Sequence, residues 1–201
     1  MSDVNDAQFW QDLYETDNSP WDMGHETPVF TRLAESGQFA AGKMIVLGAG
    51  SGYDAHLFAR HGFEVTAVDF AETAVNKMKA LEDPHYPITI IQGDIFELPD
   101  SLTHQFDYIL EYTCYCAIHP SRRDDYAALA YRLLKSDGRW IALSFPIGNR
   151  EGGPPYVVQP DQVAERMIEH GFTLLHREMP DDSVARRVGI EELLIMSRNR
   201  L

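Results

Sequence analysis

The chain has 201 residues, 44% of them apolar and 24% charged, and 31 acidic against 17 basic side chains give a formal charge of −14. That length is enough to bury a sizeable core and is most simply one domain over 1–201. A field of that sign repels phosphate backbones and anionic lipid, so nucleic acid and membrane surfaces are excluded as partners and a small molecule is favoured. The first residues lack the basic start and apolar core of an export leader, and no apolar run approaches about 18 residues, so the expectation is a cytoplasmic monomer.

Residues 1–40 read as a helical arm and 41–201 as an α/β core. Phe9, Trp10, Leu13 and Tyr14 recur at helical spacing and predict a short amphipathic helix from Phe9 to Thr16. Asp17-Asn18-Ser19-Pro20 breaks it, and after Pro20-Trp21-Asp22-Met23-Gly24-His25 the pair Thr27-Pro28 caps a second helix to about Ser36. Trp10, Tyr14 and Trp21 thus precede the core. They either staple the arm onto the domain or form a lid whose π faces meet a cationic ligand.

The apolar run Met44-Ile-Val-Leu47 then opens into Gly48, Gly50 and Gly52, and Glu64-Val-Thr-Ala-Val-Asp69 is a second strand that stops on a carboxylate. Strand, glycine turn, helix (Ala55 to Arg60, closed by His61-Gly62), strand and carboxylate is the layout with which an open α/β sheet grips an adenosine-bearing cofactor. A dinucleotide fingerprint would place its third glycine at position 53, where this chain has Tyr53. The G-x-G-x-G form is usual for S-adenosylmethionine, whose sulfonium would suit the aromatic arm. A tight turn without ligand is the alternative, and a dehydrogenase ranks last. Asp69 is placed to accept from both ribose hydroxyls.

The rhythm continues with a helix from about Glu72 to Leu81 and the strand Ile88 to Gln92, which leads into Gly93-Asp94-Ile95-Phe96. Asp94 is placed to hold an adenine amino group and Ile95 to pack on the ring. Phe106 to Glu111 is the fourth strand and feeds Tyr112-Thr-Cys-Tyr-Cys-Ala117. A helix from Arg122 to Leu134 is closed by Lys135-Ser-Asp-Gly138, and Trp140 to Phe145 is a fifth strand. Beyond the stiff loop Gly152-Gly-Pro-Pro-Tyr156 come a helix from about Pro160 to His170 and two last strands, Phe172 to His176 and Leu193 to Met196. A parallel sheet ending in a hairpin with one antiparallel strand fits this order. It is the seven-stranded, Rossmann-like layout of S-adenosylmethionine-dependent methyltransferases. Cys114 and Cys116 are the only cysteines, too close to staple a fold and without a second pair at zinc spacing, so they read as buried apolar groups and no metal is expected.

Several segments together resemble the thiopurine and thiol methyltransferases, including the plant-type halide and thiocyanate enzymes. They are Trp10-x-x-x-Tyr14, Pro20-Trp21-Asp22-x-Gly24, Phe106-Asp-Tyr-Ile-Leu-Glu-Tyr112, Cys116-Ala-Ile-His-Pro120 and Gly152-Gly-Pro-Pro-Tyr156. The resemblance runs from Phe9 to Arg198. It implies that Trp10, Tyr14 and Trp21 close over the cofactor and that Gly48, Asp69, Asp94 with Ile95, and Tyr112 contact it; Gly50 belongs to the same loop. Glu111 stands where relatives often have Asp. Tyr112 falls where the thiopurine branch carries a basic residue, which points to the halide and thiol branch.

The reaction so implied is an in-line displacement in which a soft anion attacks the sulfonium methyl in a dry pocket. Halide, thiocyanate or hydrosulfide needs no base; a thiol needs modest help to become thiolate. Tyr156, His119, Asp22 and His25 are the candidates, in that order, for touching the acceptor, with a loop-anchoring hydrogen bond as the alternative for each. Arg187, in Arg-x-Gly-x-Glu191, either counters an anionic acceptor or forms an exposed ion pair. Other readings are a small-molecule O- or N-methyltransferase, a thiopurine-type S-methyltransferase, and a non-catalytic adenosyl-ligand sensor.

Overall fold

Alternating strand-length apolar runs and helical periodicities fold, in the computed structural model, into six α-helices and seven strands; the structure describes residues 4–16 and 19–200. Asp17 and Asn18, half of the expected helix break, lie outside the described residues. The strands form one mixed sheet in the order β3-β2-β1-β4-β5-β7-β6, the expected seven-stranded α/β fold. The chain divides after Glu97 into two compact units, each described by itself.

The first unit contains α1 (Ala7–Glu15), α2 (Pro28–Glu35), β1 (Lys43–Leu47), α3 (Tyr53–Arg60), β2 (Glu64–Asp69), α4 (Glu72–Ala80) and β3 (Thr89–Gln92). β1 and β2 pair in parallel from Lys43 opposite Glu64 to Leu47 opposite Val68, and Asp69 ends β2 opposite Gln92 of β3. Met44 to Leu47 are all buried, as a parallel strand covered on both faces requires. The Asp6 carboxylate caps α1 by accepting the Gln8 N–H at 2.9 Å. Thr27 occupies the cap position of α2 and Pro28 its first turn, but the threonine hydroxyl makes no cap bond. It donates instead to Asp54, where a half-buried carboxylate offers a stronger acceptor.

The second unit contains a 3-10 turn (Asp100–Leu102), β4 (Phe106–Tyr112), another 3-10 turn (Pro120–Arg122), α5 (Arg123–Leu133), β5 (Leu134–Ser144), α6 (Pro160–Glu169), β6 (Phe172–Glu178) and β7 (Glu192–Arg198). Its core is built around Trp140, Tyr126, Phe172 and Leu133. β4 and β5 are parallel, and β7 is antiparallel to both β5 and β6. β5 begins earlier than expected. Leu134 already pairs with Phe106, and the chain then bulges before Arg139 pairs with Tyr108. The Lys135-Ser-Asp-Gly138 turn, expected as the end of a helix, is this bulge: Asp137 takes φ +63, and a Cβ at Gly138 would lie 2.8 Å from the Lys135 carbonyl.

Candidate cofactor and acceptor sites

In the first unit the glycine loop leaves β1 with Gly48, Gly50 and Gly52 all at positive φ, which only glycine adopts without strain. A Cβ at Gly52 would fall 2.3 Å from Met78 Cγ on α4, so the loop and helix can meet only across a bare backbone. Asp69, 7% exposed, holds this loop: Oδ2 accepts the Gly50 N–H at 2.8 Å and Oδ1 the Ala71 N–H at 3.0 Å. Burial raises its pKa, and these main-chain donors oppose the rise. A carboxylate has about four lone-pair directions, so acceptor capacity remains after the loop is tied.

The arm is fastened onto that loop. Gln11 of α1 and Thr73 of α4 exchange hydrogen bonds, at 2.7 Å to the Thr73 hydroxyl and 3.0 Å from its N–H. Trp10, Trp21 and Tyr14 stack edge to face, with centroids 5.5 and 5.4 Å apart, and pack on Ala71 and Ala74. Trp21 Nε1 donates to the Tyr14 hydroxyl at 3.1 Å, and that hydroxyl lies 3.2 Å from where a Gly50 Cβ would stand. Burial, then the Asp69 charge, raises the Tyr14 pKa and keeps it a neutral phenol. Asp22 is the other fastening. It accepts from the Ser51 hydroxyl at 2.5 Å and the Gly24 N–H at 2.9 Å, with Lys77 Nζ at 3.6 Å. His25 is exposed and its Nδ1 sits 2.6 Å from the Glu26 carbonyl.

Where β2 and β3 end, an open cleft of about 590 Å³ is lined by Phe70, Gln92, Gly93, Asp94 and Glu97 on the sheet side and by Asn5 to Ala7 of the arm. Asp94 Oδ1 accepts the Phe96 N–H at 2.9 Å at the start of a 3-10 turn, Ile95–Glu97, in which Ile95 is 7% exposed.

In the second unit the next-to-last residue of β4 is Glu111, 3% exposed, which accepts from the Tyr115 N–H at 2.7 Å and from the Tyr126 hydroxyl at 2.8 Å. Burial pushes its carboxyl up to about 7. The carboxylate thereby folds the 112–117 loop back on itself, with Thr113 in the left-handed region at φ +62. Cys116 is buried, its thiol pushed up to about 12 by burial and donated to the Thr113 carbonyl at 3.2 Å, a neutral packing group; Cys114 is half-buried.

Tyr112 next donates its hydroxyl proton to Glu191 at 2.7 Å and accepts from Arg187 Nη1. The Arg187 guanidinium, 3% exposed, lies 4.9 Å from the Tyr112 ring and 4.5 Å from that of Phe145. It is therefore no exposed ion pair, contrary to the alternative offered by its sequence, because the two rings take it out of water. Tyr156 and His119 meet edge to face at 5.6 Å. The Tyr156 N–H donates to the Cys116 carbonyl at 2.7 Å, and His119, which is exposed, has Nδ1 2.8 Å from the Ser121 hydroxyl.

Sequence reasoning missed Asp54, whose two oxygens accept the N–H and hydroxyl of Thr27 at 2.8 Å each; burial pushes its carboxyl up to about 6. It also missed Gln11, Thr73 and Arg123. An Asp in the first turn after a glycine loop was the one available signal for Asp54; the rest depend on partners 34 to 62 residues away.

These residues fit an adenosyl cofactor: a bare glycine loop, a buried carboxylate with acceptor capacity, and a cleft lined by Phe70, Gln92 and Asp94. Among the described residues no group of three or more His, Cys, Asp or Glu could hold a metal ion, and no helix is long and apolar enough to cross a membrane. The family model for thiopurine S-methyltransferase matches residues 5–194. The chain is 34% identical over 193 residues to a probable thiol methyltransferase 2 of Arabidopsis thaliana, covering 94% of this chain and 84% of that one. It is also 34% identical over 188 residues to thiocyanate methyltransferase 1 of Brassica oleracea, covering 92% and 82%. Among solved structures, the Burkholderia thailandensis 1,6-didemethyltoxoflavin-N1-methyltransferase with bound S-adenosylhomocysteine superposes with a TM-score of 0.74 at 20% identity, over 96% of this chain and 87% of that one. Sheet order, glycine loop and family match agree: the chain belongs to the thiopurine S-methyltransferase family, and it is an S-adenosylmethionine-dependent methyltransferase.

Proposed function

We propose that the acceptor is a small soft anion: a thiolate, hydrosulfide, thiocyanate or halide. The observation that carries this reading is the Tyr112, Phe145 and Arg187 cluster, a polarisable aromatic wall with a buried cation in a protein of net charge −14. Its carboxylate, Glu191, already accepts the Tyr112 proton, so the wall presents charge and polarisability where a general base would be needed for a hydroxyl or amine acceptor. The plant relatives named for thiol and thiocyanate support the same branch.

When bound, S-adenosylmethionine supplies an electrophilic methyl on a positive sulfur. Gly48, Gly50 and Asp69 would hold it at the loop and ribose, Asp94 and Ile95 at the adenine, and Trp10, Tyr14 and Trp21 would cover it, with Tyr112 also in contact. Tyr156 and His119 line the acceptor. Their joint task is orientation and exclusion of water, which strips an anion of its hydration and makes it a better nucleophile. Asp22 serves by holding the arm to Ser51. The proposal extends to a cytoplasmic monomer acting on neither nucleic acid nor membrane.

The test is headspace and liquid chromatographic analysis of reactions with labelled methyl donor, offering iodide, thiocyanate, hydrosulfide, a thiopurine, a catechol and an amine side by side. Iodide, thiocyanate or hydrosulfide should dominate. A thiopurine ahead of all three would place the chain in the thiopurine-type branch, a catechol or amine ahead would indicate O- or N-methylation, and tight cofactor binding with no turnover would indicate a sensor.

A further inference from the structure

Arg123 is the first residue of α5 and only 8% exposed. A cation is unfavourable there for three reasons. The N-terminal end of a helix carries partial positive charge. Burial removes water from the guanidinium and lowers its pKa. The neighbouring carboxylates are engaged elsewhere, Asp125 with Arg122 at 3.5 Å and Asp124 with Arg166 at 2.9 Å. Among the described residues no carboxylate lies within 4.0 Å of Arg123.

What Arg123 does touch belongs to the acceptor side. Nη2 donates to the Val157 carbonyl at 3.2 Å, the guanidinium lies 4.9 Å from the Tyr115 ring, and Nε is buried with no hydrogen-bond partner. Val157 follows Tyr156, whose own N–H is tied to Cys116, and the groups that feel the Arg123 charge are Tyr115, Cys116 and Tyr156 together with the second cation Arg166. Cys116 and Tyr115 are held neutral by burial and supply no counterion. A buried charge left without a counterion is costly, and local violations of this kind are found where a site needs them.

We propose that Arg123 is a positioning residue that sets the acceptor site's preference for anions: it holds Val157 and so Tyr156, and its unbalanced charge stabilises an anionic nucleophile beside that ring. This rests on the soft-anion reading above. The counterion missing from the fold is then the acceptor itself.

The experiment measures labelled thiocyanate binding by equilibrium dialysis to the full chain saturated with S-adenosylhomocysteine, and thiocyanate kinetics, for wild type, Arg123→Met and Arg123→Lys. Arg123→Met should weaken thiocyanate binding and raise its KM by about ten-fold or more, with kcat within about three-fold. Arg123→Lys keeps the charge but not the stacking on Tyr115, so it should lose clearly less than Arg123→Met, and S-adenosylhomocysteine affinity should hold in both. Equal losses in the two variants, or no loss in Arg123→Met, would overturn the inference. Should Arg123→Met fail to fold, wild type alone decides: the neutral product methyl thiocyanate should bind about ten-fold or more weaker than thiocyanate, and equal affinity refutes the charge effect. Thiocyanate bound through Arg123 but never methylated would retain this inference and sink the acceptor reading; methylation with a KM indifferent to Arg123 would do the reverse.

Discussion

Glu111→Gln separates charge from shape at the carboxylate that folds the 112–117 loop. In the folded chain burial holds the Glu111 proton up to about 7, against an ordinary value of 4.5. Its folded pKa is thus raised, so its contribution to stability is fully present below about pH 4.5 and is lost as pH rises through about 7. The gap is worth about 3 kcal/mol at about 1.4 kcal/mol per pKa unit. Glutamine removes that titration but can accept only one of the two bonds from the Tyr115 N–H and the Tyr126 hydroxyl, leaving a buried donor unpaired at a cost of about 1–3 kcal/mol. Urea unfolding at pH 5, 6, 7 and 8 should therefore show the variant below wild type at pH 5, and wild type losing about 3 kcal/mol relative to the variant by pH 8, which closes or reverses the gap. Asp54, pushed up to about 6, titrates in both proteins and cancels in the difference. Stability curves that stay parallel across this range would refute the assignment of a raised pKa to Glu111.

Asp22→Ala removes the contacts to Ser51, Gly24 and Lys77 and should weaken S-adenosylhomocysteine binding about ten-fold by calorimetry while kcat at saturating cofactor stays within about three-fold; a collapse of kcat would restore Asp22 to the chemistry. Tyr14→Phe deletes the acceptor of Trp21 Nε1 and should cost about 1 kcal/mol, about five-fold, in the same titration, with unchanged circular dichroism. Gly52→Ala forces a Cβ into φ +82 and onto Met78 Cγ, so its urea midpoint should drop by the equivalent of about 3 kcal/mol, with part recovered in the double variant with Met78→Ala.

The sheet was legible because parallel strands buried on both faces leave unbroken apolar runs, and Glu64 to Asp69 matches β2 residue for residue. The glycine loop was legible because positive φ selects one residue type. β5 was not: its first residue, Leu134, pairs with Phe106 across a bulge, and the turn chemistry of Asp137-Gly138 is the same whether it closes a helix or bends a strand. The aromatic arm was recognised, but what fastens it, Gln11 to Thr73 and Asp22 to Ser51, is set by tertiary contact that local pattern does not encode. Asp69 illustrates the same limit in one residue. Its place at a strand end spoke for a ribose, while its bonds to Gly50 and Ala71 show that it also builds the loop.

A Cβ at Gly153 would fall 2.6 Å from two carbons of the Tyr156 ring, so that phenol lies flush against naked main chain. Any side chain at 153 evicts the ring, which makes this contact rigid against mutation. On the acceptor reading proposed above, retuning toward bulkier or smaller nucleophiles proceeds through positions with room to vary, such as the solvent-facing His119, which meets the Tyr156 ring edge to face. Laboratory evolution of acceptor range is best aimed at 119 and its neighbours, with 153 left untouched.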